Sequence, residues 1–325
     1  GEDSFPGLVD WLTETLSADS SGVERSGAAQ GLAEVLGVMG MERVNALMPS
    51  FVNGCRSPLP HARDGHITLM RFLPATLGMQ FERLLPQVLP CVLDGLADET
   101  EAVREASLGA GRIVVDTYAL SSMEVLLPAI EDGISNANWR IRQSSVELLG
   151  NLLFRIAGTS GNVFLDGGSD DEGASTEAQG RLITEKLGLE KRNEVLATVY
   201  MARSDHVLPV RNAALHVWKT VVANTPKTLR EILTTLTNKT IASLSDASSD
   251  QQATAGRCLG ELVRKLGDHM LPEIVPILTS GLAHHNPEGH RQGVCLGLSE
   301  ILLSASKAQL SDHMDKLLPA VRTAL

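Results

Sequence analysis

Residues 270–303 read MLPEIVPILTSGLAHHNPEGHRQGVCLGLSEILL. Two apolar stripes run through them. Leu271, Ile274, Leu278 and Leu282 recur at i, i+3, i+7 and i+11, which is one face of a helix. Val294, Leu298, Ile301 and Leu302 form a second stripe beyond a polar turn. Neither helix can bury its stripe alone, so the pair requires neighbours of the same kind.

The rest of the chain supplies them. Arg291 opens the second helix, and a small residue, Gly293, follows two places later. The same mark recurs at Arg25 with Gly27, Arg63 with Gly65, Arg104 with Ala106, Arg142 with Ser144, Arg211 with Ala213, and Gln251 with Ala253. The steps are 38, 41, 38, 69, 40 and 40 residues. A period near 40 with two helices per unit is the mark of a HEAT or armadillo array, and two helices favour HEAT. The first helix of each unit carries an apolar residue followed by Pro: Phe5-Pro6, Met48-Pro49, Leu85-Pro86, Leu127-Pro128, Leu271-Pro272 and Leu318-Pro319. Proline is tolerated in the first helical turn, where its missing N–H has no partner to lose. The expected fold is an all-α HEAT-repeat α-solenoid of about seven helix pairs plus a half repeat. It forms one domain over 1–325. The chain opens inside a helix pair and ends within the first helix of another, at 310–325, as a piece of a longer array would.

Composition fits. Apolar residues make up 43% of the 325 positions and aromatics only 3%, so the core is built of Leu, Val, Ile and Ala. Cys55, Cys91, Cys258 and Cys295 show no paired spacing and read as reduced thiols of a cytoplasmic protein. No apolar run approaches membrane length, and Asn238-Lys239-Thr240 reads as a chance sequon. A formal charge of −11 argues against nucleic acid, which demands a basic footprint. The local basic pairs, Arg264-Lys265 and Lys191-Arg192, read as solvated helix ends in that respect.

The 69-residue step holds an insertion of about 29 residues beyond the period. Its centre, 158–180, is GTSGNVFLDGGSDDEGASTEAQG, with five acidic residues and no Lys or Arg. It is expected to be a mobile acidic loop, dispensable for folding, followed by a short helix near 177–187. Its acidic residues do not alternate as calcium ligands do. Motifs for phosphate loops, zinc proteases, paired cysteines and serine nucleophiles are missing. His284, His285 and His290 lie in one turn near Cys295, but their spacing fits no closed zinc site. No metal, no cofactor and no enzymatic activity is expected; the rival class is a hydrolase or metal enzyme built on that turn. Trp139 and Trp218 fall on second helices and read as packing residues.

Asp19, Asp98 and Asp205 precede Arg25, Arg104 and Arg211 by six residues, which suggests a charge-assisted Asp–Arg ladder between turns. Arg291 has His285 at that position, Arg63 has Ser57 and Arg142 has Asn136. On this reading a partner's carboxylate could serve Arg291.

The segments HVWKTVVANTPKTLREIL (216–233), LGELVRKLGDHMLPEIVPIL (259–278), RQGVCLGLSEI (291–301), VERSGAAQGLAEVL (23–36) and NWRIRQSSVELLGNLLFRIAGTSG (138–161) resemble the general control nonderepressible one family. These are very large HEAT-repeat proteins, ribosome-associated activators of the amino-acid-starvation kinase that phosphorylates initiation factor two alpha. The resemblance spans almost the whole chain. It implies a scaffold that recruits RWD domains, those of the kinase and of competing regulators, with ribosome contact made through other parts of the full-length protein. It also implies a kinase-binding arginine, for which Arg291 is the best match. The expected docking surface lies on repeats six and seven, at Arg257, Arg264, Lys265, Arg291 and Gln292. A nuclear-transport receptor or a phosphatase-type assembly platform is the alternative.

Overall fold

The structure, a computed structural model, describes residues 6–158, 172–283 and 285–324. The chain divides into two compact units, 1–166 and 167–325.

In the first unit, four helix pairs follow one another: α1 (Leu8–Leu16) and α2 (Gly22–Met39), α3 (Met41–Gly54) and α4 (Pro60–Leu77), α5 (Leu85–Gly95) and α6 (Glu101–Tyr118), α7 (Met123–Ile134) and α8 (Trp139–Ile156). A 3-10 stretch, Gly78–Leu84, leads into α5. The second helices stack in a row, α2 on α4 on α6 on α8, while α3, α5 and α7 stack beside them. This two-layer stacking of like on like is HEAT-repeat α-solenoid architecture, as the 40-residue period implies. Local signals set the helix starts. Ser21 and Glu24 form a reciprocal capping box on α2, and Asn138 caps α8. The core is aliphatic, with Leu32, Leu36, Val44, Ile67, Leu69, Met70, Val114 and Leu149 fully buried.

The second unit holds α9 (Glu172–Leu187), α10 (Leu189–Ala202), α11 (Leu208–Val221), α12 (Thr225–Leu244), α13 (Ser249–Gly281), α14 (Glu288–Ser304), α15 (Lys307–Ser311) and α16 (Met314–Ala324). Helices α10 and α11 form repeat five. The long α13 is two helices joined without a loop, bent at Leu266 (φ −137°, ψ 20°). Its first part closes repeat six, begun by α12, and its second part opens repeat seven, closed by α14.

Two expectations are revised. Helix α9 opens at Glu172, five residues before the expected start near 177. Glu172, Ala174, Glu177, Ala178 and Gln179 are good helix formers, and Ile183 anchors the helix, which packs on α10 and α11. Residues 172–180 of the expected loop are therefore helical; 159–171 lie outside the described residues. The apolar-Pro marks do not all open helices. Pro86 does, but Pro49, Pro128, Pro272 and Pro319 lie inside theirs. There each prolyl residue removes one intrahelical donor.

Candidate partner-binding surface

The helix-opening arginines share one geometry. Each lies four residues past the N-cap, its backbone N–H on the cap carbonyl: Arg25 to Ser21, Arg63 to Leu59, Arg104 to Thr100, Arg142 to Asn138, Arg211 to Val207, Arg291 to Pro287. Each guanidinium then turns back and donates to carbonyls of the turn just passed. Arg104 Nη1 reaches Asp98 O (2.7 Å) and Glu99 O (2.9 Å). Arg142 Nη1 reaches Asn136 O (3.0 Å) and Ala137 O (2.9 Å), and Arg211 Nη1 reaches Asp205 O (2.7 Å) and His206 O (2.8 Å). Arg291 Nη1 does the same at Asn286 O (2.9 Å).

The six-residue step is thus a contact with the backbone, whose turn carbonyls have no helical donor. This corrects the expected Asp–Arg pairing within a turn. The Asp98 carboxylate serves the neighbouring repeat instead, accepting from Arg63 Nε (2.6 Å) and Nη2 (2.9 Å), while that of Asp205 accepts from Val207 N–H in its own turn; Arg25 Nη2 finds its carboxylate on Asp64 (2.7 Å), on the next second helix. The side-chain type at residue 57 therefore does not matter to Arg63, whose Nη1 takes the backbone oxygen of Ser57 (2.9 Å). The register also moves by one residue in repeat six. Gln252, not Gln251, occupies the arginine's place, with its backbone N–H on Ser248 O and its Nε2 on Asp246 O (2.9 Å) and Gly289 O (3.0 Å).

The histidine turn is tied down rather than simply solvated. His290 Nδ1 is hydrogen-bonded to Ser245 Oγ of repeat six, and Asn286 Nδ2 donates to Ser280 O and Gly281 O. His284 lies outside the described residues. Among the described residues no three His, Cys, Asp or Glu side chains are placed to hold a metal.

Where repeats five, six and seven meet there is a cleft of about 370 Å³. Arg203, Arg211, Arg257 and Arg264 line it, with Asp205, Glu261 and Glu300 as counter-charges. Arg203, at the end of α10, lies over the rings of Tyr200 (4.5 Å) and Trp218 (5.5 Å). Its Nε and Nη1 are buried with no hydrogen-bond partner, and its Nη2 stands 3.7 Å from Glu261. Glu261 accepts from Lys265 Nζ (2.7 Å) and Tyr200 Oη (3.0 Å). Burial alone would raise its pKa, but Lys265 and Arg203 together hold it below the usual carboxylate range. Arg257 Nε donates to Ser204 O (2.8 Å), and Arg264 Nη1 to Ser304 Oγ (2.8 Å).

Of the five residues expected to bind a partner, the cleft gathers Arg257 and Arg264. Lys265 joins them through Glu261 and is exposed. Arg291 and Gln292 are not among the lining residues.

Comparison with known proteins gives the family. A model of the EF3 N-terminal HEAT repeat matches residues 25–157. Protein ILITYHIA of Arabidopsis thaliana is 58% identical over 83% of this chain and 10% of its own length. Stalled ribosome sensor GCN1 of Homo sapiens is 47% identical over 100% of this chain and 12% of its own. eIF-2-alpha kinase activator GCN1 of Saccharomyces cerevisiae is 36% identical, again over 100% and 12%. The chain belongs to the GCN1 family. It spans about a tenth of the length of these curated relatives.

Within this GCN1-family chain, sequence reading missed Arg203, Tyr200, Glu261 and Glu300, and it assigned Arg211 to the ladder alone. One signal was available. Tyr200 and Arg203 are three apart, as are Glu261 and Arg264, so each pair shares a helix face.

Proposed function

We propose that this chain is a protein-docking scaffold that recruits an RWD domain of a translation-control kinase and so promotes that kinase's activation in amino-acid starvation. The observation that carries this reading is electrostatic. On a chain of charge −11, Arg257, Arg264 and Lys265 cluster on one stretch of α13, Arg264 and Lys265 both exposed. Such a patch suits an acidic partner edge. The printed names of the relatives, a stalled ribosome sensor and a kinase activator, supply the biological setting. Ribosome contact falls to other parts of the full-length protein, and the setting is cytoplasmic. No nucleic acid or membrane is a partner of this chain, and among the described residues no helix is long and apolar enough to cross a membrane.

Arg291 and Gln292 remain candidates outside the cleft lining, Gln292 through its exposure. Arg291 carries a structural duty at Asn286 O. Arg264→Ala with Lys265→Ala should weaken capture of the kinase's RWD domain about tenfold or more, at an unchanged melting temperature. Each lost charge-assisted contact is worth roughly 1.5–3 kcal/mol. Raised salt should weaken capture as well. Arg291→Ala should lower the melting temperature, and a loss of capture beyond the unfolded fraction would make it a contact as well. Full capture by the double variant would reject the surface.

A further inference from the structure

We propose that the cleft between the end of α10 and the middle of α13 is a receptor for a single carboxylate side chain, supplied by an acidic segment of a partner protein. The inference rests on the docking reading above and gives it a chemical class and a seat.

The argument begins with charge. Arg203, Arg211, Arg257 and Arg264 face three carboxylates, Asp205, Glu261 and Glu300, across one cleft. The four arginines of the lining outnumber its carboxylates by one. A carboxylate balances that excess; a phosphate dianion overshoots it and would stand against three anions.

The second element is how the cleft's own anions are used. Asp205 is buried and accepts from Val207 N–H (2.8 Å) at the base of the turn. Glu261 is held by Lys265 and Tyr200. Asp205 acts on Arg257 through its charge. That guanidinium spends Nε on a backbone carbonyl, Ser204 O, and reaches Thr254 Oγ1 only at 3.5 Å. Burial lowers its hold on the proton and the like charge of Arg211 adds to that, against the opposing pull of Asp205, Glu300 and Asp250. An entering carboxylate relieves both penalties by charge-assisted hydrogen bonds.

The third element is rigidity. Arg203 is held over the edge-to-face pair of Tyr200 and Trp218, whose centroids are 5.0 Å apart. The back of the cleft is therefore preorganised, and little ordering is required of it on binding. Trp218 also provides a reporter.

The test uses a hexaglutamate peptide as the probe and the whole chain with Trp11→Phe and Trp139→Phe, so that Trp218 alone emits. Saturable change in Trp218 emission on addition of peptide is expected, weakening at least fivefold between about 50 mM and 200 mM salt. Arg257→Gln with Arg264→Gln should weaken it tenfold or more with the circular dichroism spectrum unchanged, while Lys227→Gln, on α12 outside the cleft, should not. No saturable change, or undiminished binding by the double variant, overturns the cleft. Tighter binding of a phosphoserine peptide at the same residues overturns the carboxylate assignment. The RWD capture assay fails independently: a cleft that takes hexaglutamate in a chain that captures no RWD domain keeps the receptor and removes only the named partner.

Discussion

Gly293→Ala should be among the most damaging single changes in this chain, although glycine-to-alanine in a helix ordinarily stabilises by about 0.5–1 kcal/mol. A Cβ at Gly293 would be driven into the backbone carbonyl of Leu244, and one at Gly65 into that of Leu16. Leu16 ends α1 and Leu244 ends α12. In both places the second helix of one repeat crosses the carboxyl end of the first helix of the repeat before. A backbone carbonyl cannot rotate aside as a side chain would, so the helices must separate. Overpacking of this kind costs about 3 kcal/mol or more, or roughly 6–12 °C in melting temperature. Gly27 holds the equivalent place in repeat one, where nothing lies within 4 Å. Gly27→Ala should raise the melting temperature slightly. Equal effects of Gly27→Ala and Gly293→Ala in a thermal melt would refute the account.

Asp98→Ala should come close to this in effect. Asp98 joins three parts of the first unit: its carboxylate accepts from Arg63 at 2.6 and 2.9 Å and from Thr100 N–H at 2.9 Å, and its carbonyl from Arg104. The side chains of the pair are 13% and 10% exposed. Removing one partner leaves Arg63 charged and half-buried, with only Glu99 at 3.7 Å as a counter-charge, which costs about 1–3 kcal/mol. The Arg56–Asp94 pair is the contrast. It is of comparable kind at 3.2 Å but 54% and 64% exposed, and Asp94→Ala should change stability by less than about 1 kcal/mol. Acidity gives a second readout. Burial alone would raise the Asp98 carboxyl, but Arg63 and the Thr100 N–H bring it below the usual range. A depressed folded pKa means stabilisation that is complete above the unfolded value, about 4, and is lost as pH falls through the folded one. Asp98→Asn should flatten that acid limb in urea titrations; an unaltered limb would remove Asp98 from the account.

The array itself was readable because its cause is periodic. Apolar stripes and an arginine every 40 residues place seven helix pairs, and they do so before any contact is known. What the arginines touch was not readable. A ladder partner depends on which turn lies next door, so Asp98 looked like the mate of Arg104 by spacing, when its carboxylate belongs to Arg63 and only its carbonyl to Arg104. The Gln251–Gln252 slip has the same origin. Two adjacent glutamines are equal in the sequence, and only the cap at Ser248 distinguishes them. The small residue two places after each arginine was noticed but not explained, because at Gly65 and Gly293 its reason is a carbonyl in the previous repeat. At the candidate site, Arg257, Arg264 and Lys265 stood out as cations on an acidic chain. Arg203 did not, since one arginine at a helix end has no pattern, and the two rings beneath it come from different helices.

The bend at Leu266 bears on how the family can change length. Repeats six and seven are joined inside a single helix, Ser249–Gly281, and each residue added to a helix turns everything beyond it by about 100° and advances it 1.5 Å. One codon gained or lost between Cys258 and Leu271 would rotate Leu271, Ile274 and Leu278 away from the partners that bury them, and would swing Arg257 and Arg264 relative to Glu300. The junction of repeats four and five, by contrast, already carries about 29 residues beyond the period. Insertions and deletions among homologues should therefore collect at the second junction and be purged at the first. An inserted reporter protein should be carried at the second junction and rejected at the first.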